Sequence, residues 1–200
     1  GGIKKIKDNW YIFYHRHTNA TWFSRQACAE KIIIKEDGSI PQVEMTSCGL
    51  NGGPLLAKGE YPVSIACNLF TDKPSVYVEA DSPRITQDGR DQEDGTPYEG
   101  IENAKDTSFI TRLKTNTTIG FKYFEFKGVK KITIKTRAYI KGDFEVRTKW
   151  DGPVLGKIPI KDFSNFWEEN SAEIEIPDGV SALYLKFVGD VFIMIGEINR

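Results

Sequence analysis

Trp10-Tyr-Ile-Phe-Tyr-His-Arg-His17, followed closely by Phe23-Ser-Arg-Gln-Ala-Cys-Ala-Glu30, is the stretch on which the reading of this chain turns. Its first half alternates as a strand does. One parity carries Trp10, Ile12, Tyr14 and Arg16; the other carries Tyr11, Phe13, His15 and His17. Alternate residues of a strand share a face, so each face joins an apolar base to a polar end. Flat rings beside fixed polar groups are what gripping a sugar requires. The same run also suits a sheet interior whose polar ends reach a rim.

Outward from this stretch, almost everything reads as strand. Ile3 to Lys7, Trp10 to His17, Ser24 to Lys35 and Ile40 to Thr46 are short runs separated by Asp8-Asn9 and by Glu36-Asp37-Gly38, a strong hairpin signal. Four such antiparallel strands make one small sheet. Cys48-Gly-Leu-Asn-Gly-Gly-Pro54 is turn chemistry, and Thr71-Asp-Lys-Pro74 reads as an interdomain joint. A second series follows: Ser75–Ala80, Phe109–Leu113, Thr118–Phe126, Lys131–Ile140, Phe144–Lys149, Ala172–Ile176, Ala182–Val188 and Phe192–Ile198. Regular short strands with turn signals predict a β-sandwich or jelly roll. Asp162 to Asn170 lacks an amphipathic helical repeat. The expected fold class is therefore all-β, a small sheet over residues 1–72 and a sandwich over 73–200.

Composition narrows the function. With 27 Lys+Arg against 28 Asp+Glu the formal charge is −1, which gives no reason to expect nucleic acid or another polyanion as a partner. No apolar run is long enough for a membrane-spanning helix. Gly1-Gly2 without a starting Met reads as a processed end or an excised segment, so the terminus does not report the compartment. Cys28, Cys48 and Cys67 show neither metal-ligand spacing nor a disulfide framework; Cys28 and Cys67 read as buried small hydrophobes. Asn19-Ala-Thr and Asn116-Thr-Thr match a glycosylation pattern short enough to arise by chance.

Three motifs taken in order carry a family resemblance. Trp10-Tyr-Ile-Phe-Tyr-His-Arg-His-Thr18, Phe23-Ser-Arg-Gln-Ala-Cys-Ala-Glu30 and Asp37-Gly-Ser-Ile-Pro-Gln-Val-Glu-Met-Thr-Ser-Cys-Gly-Leu-Asn-Gly-Gly-Pro54 resemble the last blade of glycoside hydrolase family 43. That family forms a five-bladed β-propeller that cleaves xylosyl or arabinofuranosyl linkages. From about Ser75, Val78-Glu-Ala-Asp81, Thr118-Ile-Gly-Phe-Lys-Tyr-Phe-Glu-Phe126 and Val180-Ser-Ala-Leu-Tyr-Leu-Lys-Phe187 resemble a family 6 carbohydrate-binding module. The resemblance implies an inverting glycosidase whose base and acid carboxylates are separated enough to admit a water. Those carboxylates belong to earlier blades, so the expectation is that this chain alone is inactive and contributes no catalytic residue.

Candidate sites follow. Arg25 matches an arginine that in the family points into the active site, a role suited to a planar guanidinium; the alternative is a strand arginine paired with Glu30 or Glu44. His15 and His17 form a His-x-His pair on one strand face. It would suit a substrate or a metal, or else two strand-end histidines bonded to backbone or tyrosine. Glu30 and Glu44 could pose as an acid–base pair, but glutamates on sheets are common. In the second half, Tyr98, Trp150 and Trp167 are candidates for sugar stacking, in which a pyranose lays its C–H face on a ring; each alternatively covers an edge of the core. Glu79 and Asp81 match the acidic start of the module, where the resemblance implies a structural Ca²⁺. The partner carboxylate is missing from Phe192-Ile-Met-Ile-Gly196, and Asp88, Asp91 and Asp94 read as a solvated acidic loop. The implied partners are plant cell-wall polysaccharide and the upstream blades of a parent enzyme. A polymer substrate suits a secreted or periplasmic protein, and intracellular processing of imported oligosaccharides fits as well.

Overall fold

The computed structural model of the chain describes residues 1–20, 24–72, 82–86, 108–138, 140–160 and 164–191. Its amino-terminal part is a three-stranded antiparallel sheet, β1 (Gly2–Ile6), β2 (Asn9–His17) and β3 (Arg25–Ile32), in the order β1-β2-β3. Ile6 pairs with Asn9, so the first hairpin closes over Lys7-Asp8, and Lys7 adopts φ 51°. Backbone twist of that kind suits a two-residue hairpin turn.

The fourth strand expected over Ile40–Thr46 does not form. After a tight turn in which the Gly38 amide donates to the Lys35 carbonyl at 2.9 Å, the chain meets Pro41, which has no amide to offer a ladder. The remaining edge of β3 is covered by a loop instead. The buried Glu30 carboxylate accepts from the Thr46 amide at 2.6 Å and the Thr46 hydroxyl at 2.7 Å, while the Tyr11 hydroxyl donates to the Leu50 carbonyl at 3.2 Å. Gly52, at φ 70°, lets this loop close: a Cβ there would stand 2.7 Å from the Tyr11 hydroxyl.

The second half is a sandwich. Its larger sheet has six strands: β4 (Leu55–Leu56), β5 (Asn68–Phe70), β8 (Thr118–Phe126), β10 (Ile140–Arg147), β11 (Gly156–Ile160) and β13 (Gly179–Val191), with β11-β10-β13-β8 running across it. Two pairs complete the architecture, β6 (Arg84–Ile85) with β7 (Ile110–Thr111) and β9 (Lys131–Ala138) with β12 (Ser164–Glu173). Ile119, Phe121, Phe144, Val146, Ile158, Leu185 and Phe187 form one buried cluster with Ile174 and Ile176. β11 was not among the expected strands; it contains Pro159, which its position at the sheet edge accommodates, since an edge strand can spare a ladder donor. Likewise Asp162–Asn170 is largely β12. A register shift of β8 against β13 falls between Phe121 and Phe124. It turns both Lys122 and Tyr123 away from the core, a bulge's usual effect.

β4 and β5 belong to the segment that the sequence placed before the joint, yet both ladder onto β8. Leu55 pairs with Phe124 in parallel, and Asn68 and Phe70 pair with Gly120 and Thr118 antiparallel. Ser47 also joins β8, its amide donating to the Lys122 carbonyl while the Lys122 amide donates to the Ser47 hydroxyl at 3.1 Å. The two halves of the chain thus share a sheet edge. Among the described residues no helix is long and apolar enough to cross a membrane.

Candidate functional site

At the far end of the β2–β3 hairpin, His17 and Arg25 are ladder partners, and the Arg25 Nε donates to His17 Nε2 at 3.2 Å. His15 stands one pleat back, opposite Ala27, and is exposed. The two glutamates considered as partners of Arg25 are engaged elsewhere. Glu30 is held by Thr46 and by the Tyr14 hydroxyl at 3.4 Å; Glu44 accepts from Lys122 Nζ at 2.9 Å and the Tyr123 hydroxyl at 3.0 Å. The Lys122 hydrogen bond holds the Glu44 carboxyl below its ordinary range. Among the described residues no cluster of three His, Cys, Asp or Glu side chains could hold a metal ion, so the His-x-His pair stands without a third ligand there.

The two described tryptophan candidates belong to separate aromatic groups, not to one face. Trp150 follows β10 in a turn closed by the Gly152 amide on the Lys149 carbonyl at 3.1 Å and braced by Arg147 Nη1 on the Gly152 carbonyl at 3.0 Å. Its ring meets Phe70 edge-on at 5.2 Å and Tyr184 edge-on at 5.6 Å. Trp150 and Phe70 each remain 47% exposed, whereas Tyr184 is buried. Gly120 makes this possible: a Cβ on it would lie 2.7 Å from the Tyr184 ring. Trp167 sits on β12 in the other sheet, 42% exposed, with Phe109 edge-on at 5.6 Å. Both groups offer a partly open ring fixed by neighbouring rings, the arrangement a stacking sugar needs. Tyr98, Glu79, Asp81, Asp88, Asp91 and Asp94 lie outside the described residues.

Phe70, Tyr184 and Phe109 were not singled out in the sequence. Phe70 precedes the Thr71-Asp-Lys-Pro74 joint, and its pairing with β8 brings it to Trp150. Arg16 was also missed. Its guanidinium leaves the small sheet and donates to two consecutive carbonyls, Cys67 (2.8 Å) and Ala66.

The thiols are quiet. All three cysteines are free, and burial pushes Cys28 and Cys67 up from the ordinary thiol range, which leaves them protonated and weakly nucleophilic. Cys67 is buried as expected, whereas Cys28 is half-buried. Both glycosylation-pattern asparagines have bonded amides, Asn19 to the Pro83 carbonyl at 3.1 Å and Asn116 to Asp72 Oδ2 at 2.5 Å.

With this geometry established, comparison with known proteins is informative. A xylosidase/arabinosidase of Thermoclostridium stercorarium is 53% identical over 196 residues, 94% of this chain and 39% of that protein. The chain is a homologue of a xylosidase/arabinosidase. An arabinoxylan arabinofuranohydrolase of Paenibacillus polymyxa is 24% identical over 202 residues, covering 94% of this chain and 28% of that protein. The chain therefore spans well under half the length of these relatives. No family model matches it. Among solved structures, a glycoside hydrolase family 43 arabinoxylan arabinofuranohydrolase from Bacillus subtilis, in complex with cellotetraose, superimposes with a TM-score of 0.54 at 17% identity, over 95% of this chain and 37% of that one. CsCBM6-3 from Clostridium stercorarium, in complex with cellobiose, gives 0.51 at 17% identity, over 69% of this chain and 90% of that one. These two likenesses agree with the all-β fold.

Proposed function

We propose that this chain is the C-terminal part of a glycoside hydrolase acting on xylosyl or arabinofuranosyl linkages of plant polysaccharide, and that its sandwich binds carbohydrate. The observation that carries the reading is the 53% identity to a xylosidase/arabinosidase across 94% of the chain. In this reading residues 1–72 are the last propeller blade with its closing segment, and residues 73–200 are a family 6-like module. The upstream blades are its partner, Arg25 faces the substrate, and His15 and His17 line the same strand face. Trp150 and Trp167, with Tyr98, supply the stacking rings. The partial exposure of Trp150 and Trp167 supports the assignment, because a ring used only to seal a core gains nothing from staying open. A polymer substrate favours a secreted or periplasmic setting. Calcium at Glu79 and Asp81 belongs to the same reading; a melting temperature unmoved by chelator would remove it.

A second reading, a sandwich that braces the propeller without binding sugar, draws on the pairing of β4 and β5 with β8. Native affinity electrophoresis through xylan, arabinoxylan, arabinan and β-glucan separates the two. Retardation of the wild-type chain that Trp167→Ala or Trp150→Ala abolishes supports binding and names the polymer. Free migration in every gel leaves the bracing role.

A further inference from the structure

Ala66 to Phe70 is a short segment whose two ends are held by different parts of the molecule. At one end the Ala66 and Cys67 carbonyls receive the Arg16 guanidinium. At the other, Phe70 packs edge-on against Trp150. Between them the segment is fastened to β8 by the Cys67 amide on the Gly120 carbonyl at 2.9 Å and by the β5 ladder. Arg16 is joined to His17, the acceptor of the Arg25 Nε, through the β2 backbone, their side chains lying on opposite faces of the strand. Side-chain contacts and one peptide link of β2 therefore connect an exposed aromatic pair in the sandwich to the Arg25 end of the small sheet.

We propose that this segment is a strap coupling sugar engagement at Trp150 and Phe70 to the ordering of Arg25, with Arg16 as the positioning residue that completes the link. The proposal rests on the sugar-binding reading of Trp150. Three features make the strap suited to the task. β5 is three residues long and lies on a sheet edge, so its opening costs less than opening the sandwich core. Phe70 is half in solvent, so a sugar ring laid against Trp150 gains by fixing it. Arg16 spans two successive carbonyls with one rigid plane, which fixes orientation as well as distance; an ammonium has three donors and could reach both oxygens, but it would not fix the plane. Its Nε is buried without an acceptor among the described residues, so the carbonyl bonds are what offsets its burial. A ligand that rigidifies one end of such a segment lowers the cost of ordering the other, and the coupling is felt without any large displacement.

Amide hydrogen exchange of the full chain, read by mass spectrometry with and without xylohexaose, measures it. In the wild type the sugar should slow exchange about fivefold in Ala66–Phe70 and also in Tyr14–Thr18 and Arg25–Ala29, a typical size for coupled sites. Arg16→Ala and the gentler Arg16→Lys should bind the sugar and protect Ala66–Phe70, yet lose the response in β2 and β3. Bound sugar with unchanged exchange at Tyr14–Thr18 and Arg25–Ala29 overturns the coupling, as does a response that survives both Arg16 variants. Absence of sugar binding to the wild type, in this oligosaccharide and in the arabinoxylan-derived ones, sinks the sugar reading and the coupling with it.

Discussion

In the sandwich, Phe187, Val146 and Ile158 are fully enclosed within a cluster built from several strands of both layers. In the three-stranded sheet, the buried apolar side chains among the described residues are Tyr11 and Ile32; Glu30 is sealed with them, and Thr18 and Ser24 are sealed where β2 and β3 join. One region is held by non-directional burial, the other by directed bonds to chain that lies elsewhere: Glu30 to Thr46, Tyr11 to Leu50, Arg16 to Cys67, Asn19 to Pro83. Burial tolerates small shifts, whereas a hydrogen bond demands that its partner be in place. The difference teaches that the small sheet takes its definition from the segments of chain that surround it.

The largest effect that sharpens this contrast is expected in the sandwich. Phe187→Ala should cost about 3–5 kcal/mol, read as a lowered urea midpoint, because the ring is fully enclosed and its site is lined by several strands. The comparable truncation in the small sheet, Ile3→Ala at a residue 46% exposed, should change stability by less than about 0.5 kcal/mol. Equal losses at both positions would break the contrast.

A middle-sized effect should fall on Glu30. Glu30→Ala removes the acceptor of the Thr46 amide and hydroxyl and should cost about 1–3 kcal/mol, with hydrogen exchange quickening first in β3 and the loop that covers its edge. An unchanged midpoint would mean that water replaces the carboxylate without penalty.

These two predictions also mark what the sequence could disclose. The strand expected over Thr118–Phe126 has its observed bounds, and alternation predicted most of Lys131–Ile140, because a face that packs inward writes itself into every second residue. It failed at Ile40–Thr46, where the residues alternate but Pro41 and the pull of Ser47 toward Lys122 take the backbone elsewhere. It also missed Gly156–Ile160, an edge strand of five residues. For the candidate site, aromatic and basic residue types were visible, and Arg25, His17, Trp150 and Trp167 were named from them. Their companions were not. Phe70 and Arg16 act through partners 80 and 51 residues distant, and no local pattern records a contact at that range.

Smaller effects concern the charged contact between the regions. Depressed in the folded state by Lys122, the Glu44 carboxylate contributes stability that is fully present above its ordinary value of 4.5 and is lost as the pH falls through the lower folded value. Because Glu44 is about half exposed, the pair should amount to no more than about 1 kcal/mol at pH 7. Comparing Glu44→Gln with wild type in urea at pH 7 and at pH 3 checks it: a gap at pH 7 that closes in acid is expected. A gap that persists in acid would assign the effect to packing.

The smallest effect is chemical. With their thiols pushed up by burial, Cys28 and Cys67 should be alkylated by iodoacetamide at pH 7.5 at least about tenfold more slowly than a free thiol, the rate recovering in urea. Rapid modification of Cys67 in the native chain would show that the β5 edge opens readily.

The most direct test of the account is a titration of the ¹⁵N-labelled chain with xylohexaose and with arabinoxylan oligosaccharides, following the indole N–H resonances of its four tryptophans. Saturable movement of the Trp150 or Trp167 indole, with Trp10 unmoved, is the result that a carbohydrate-binding sandwich predicts. Four stationary indoles throughout both series would contradict it and leave the sandwich as a brace.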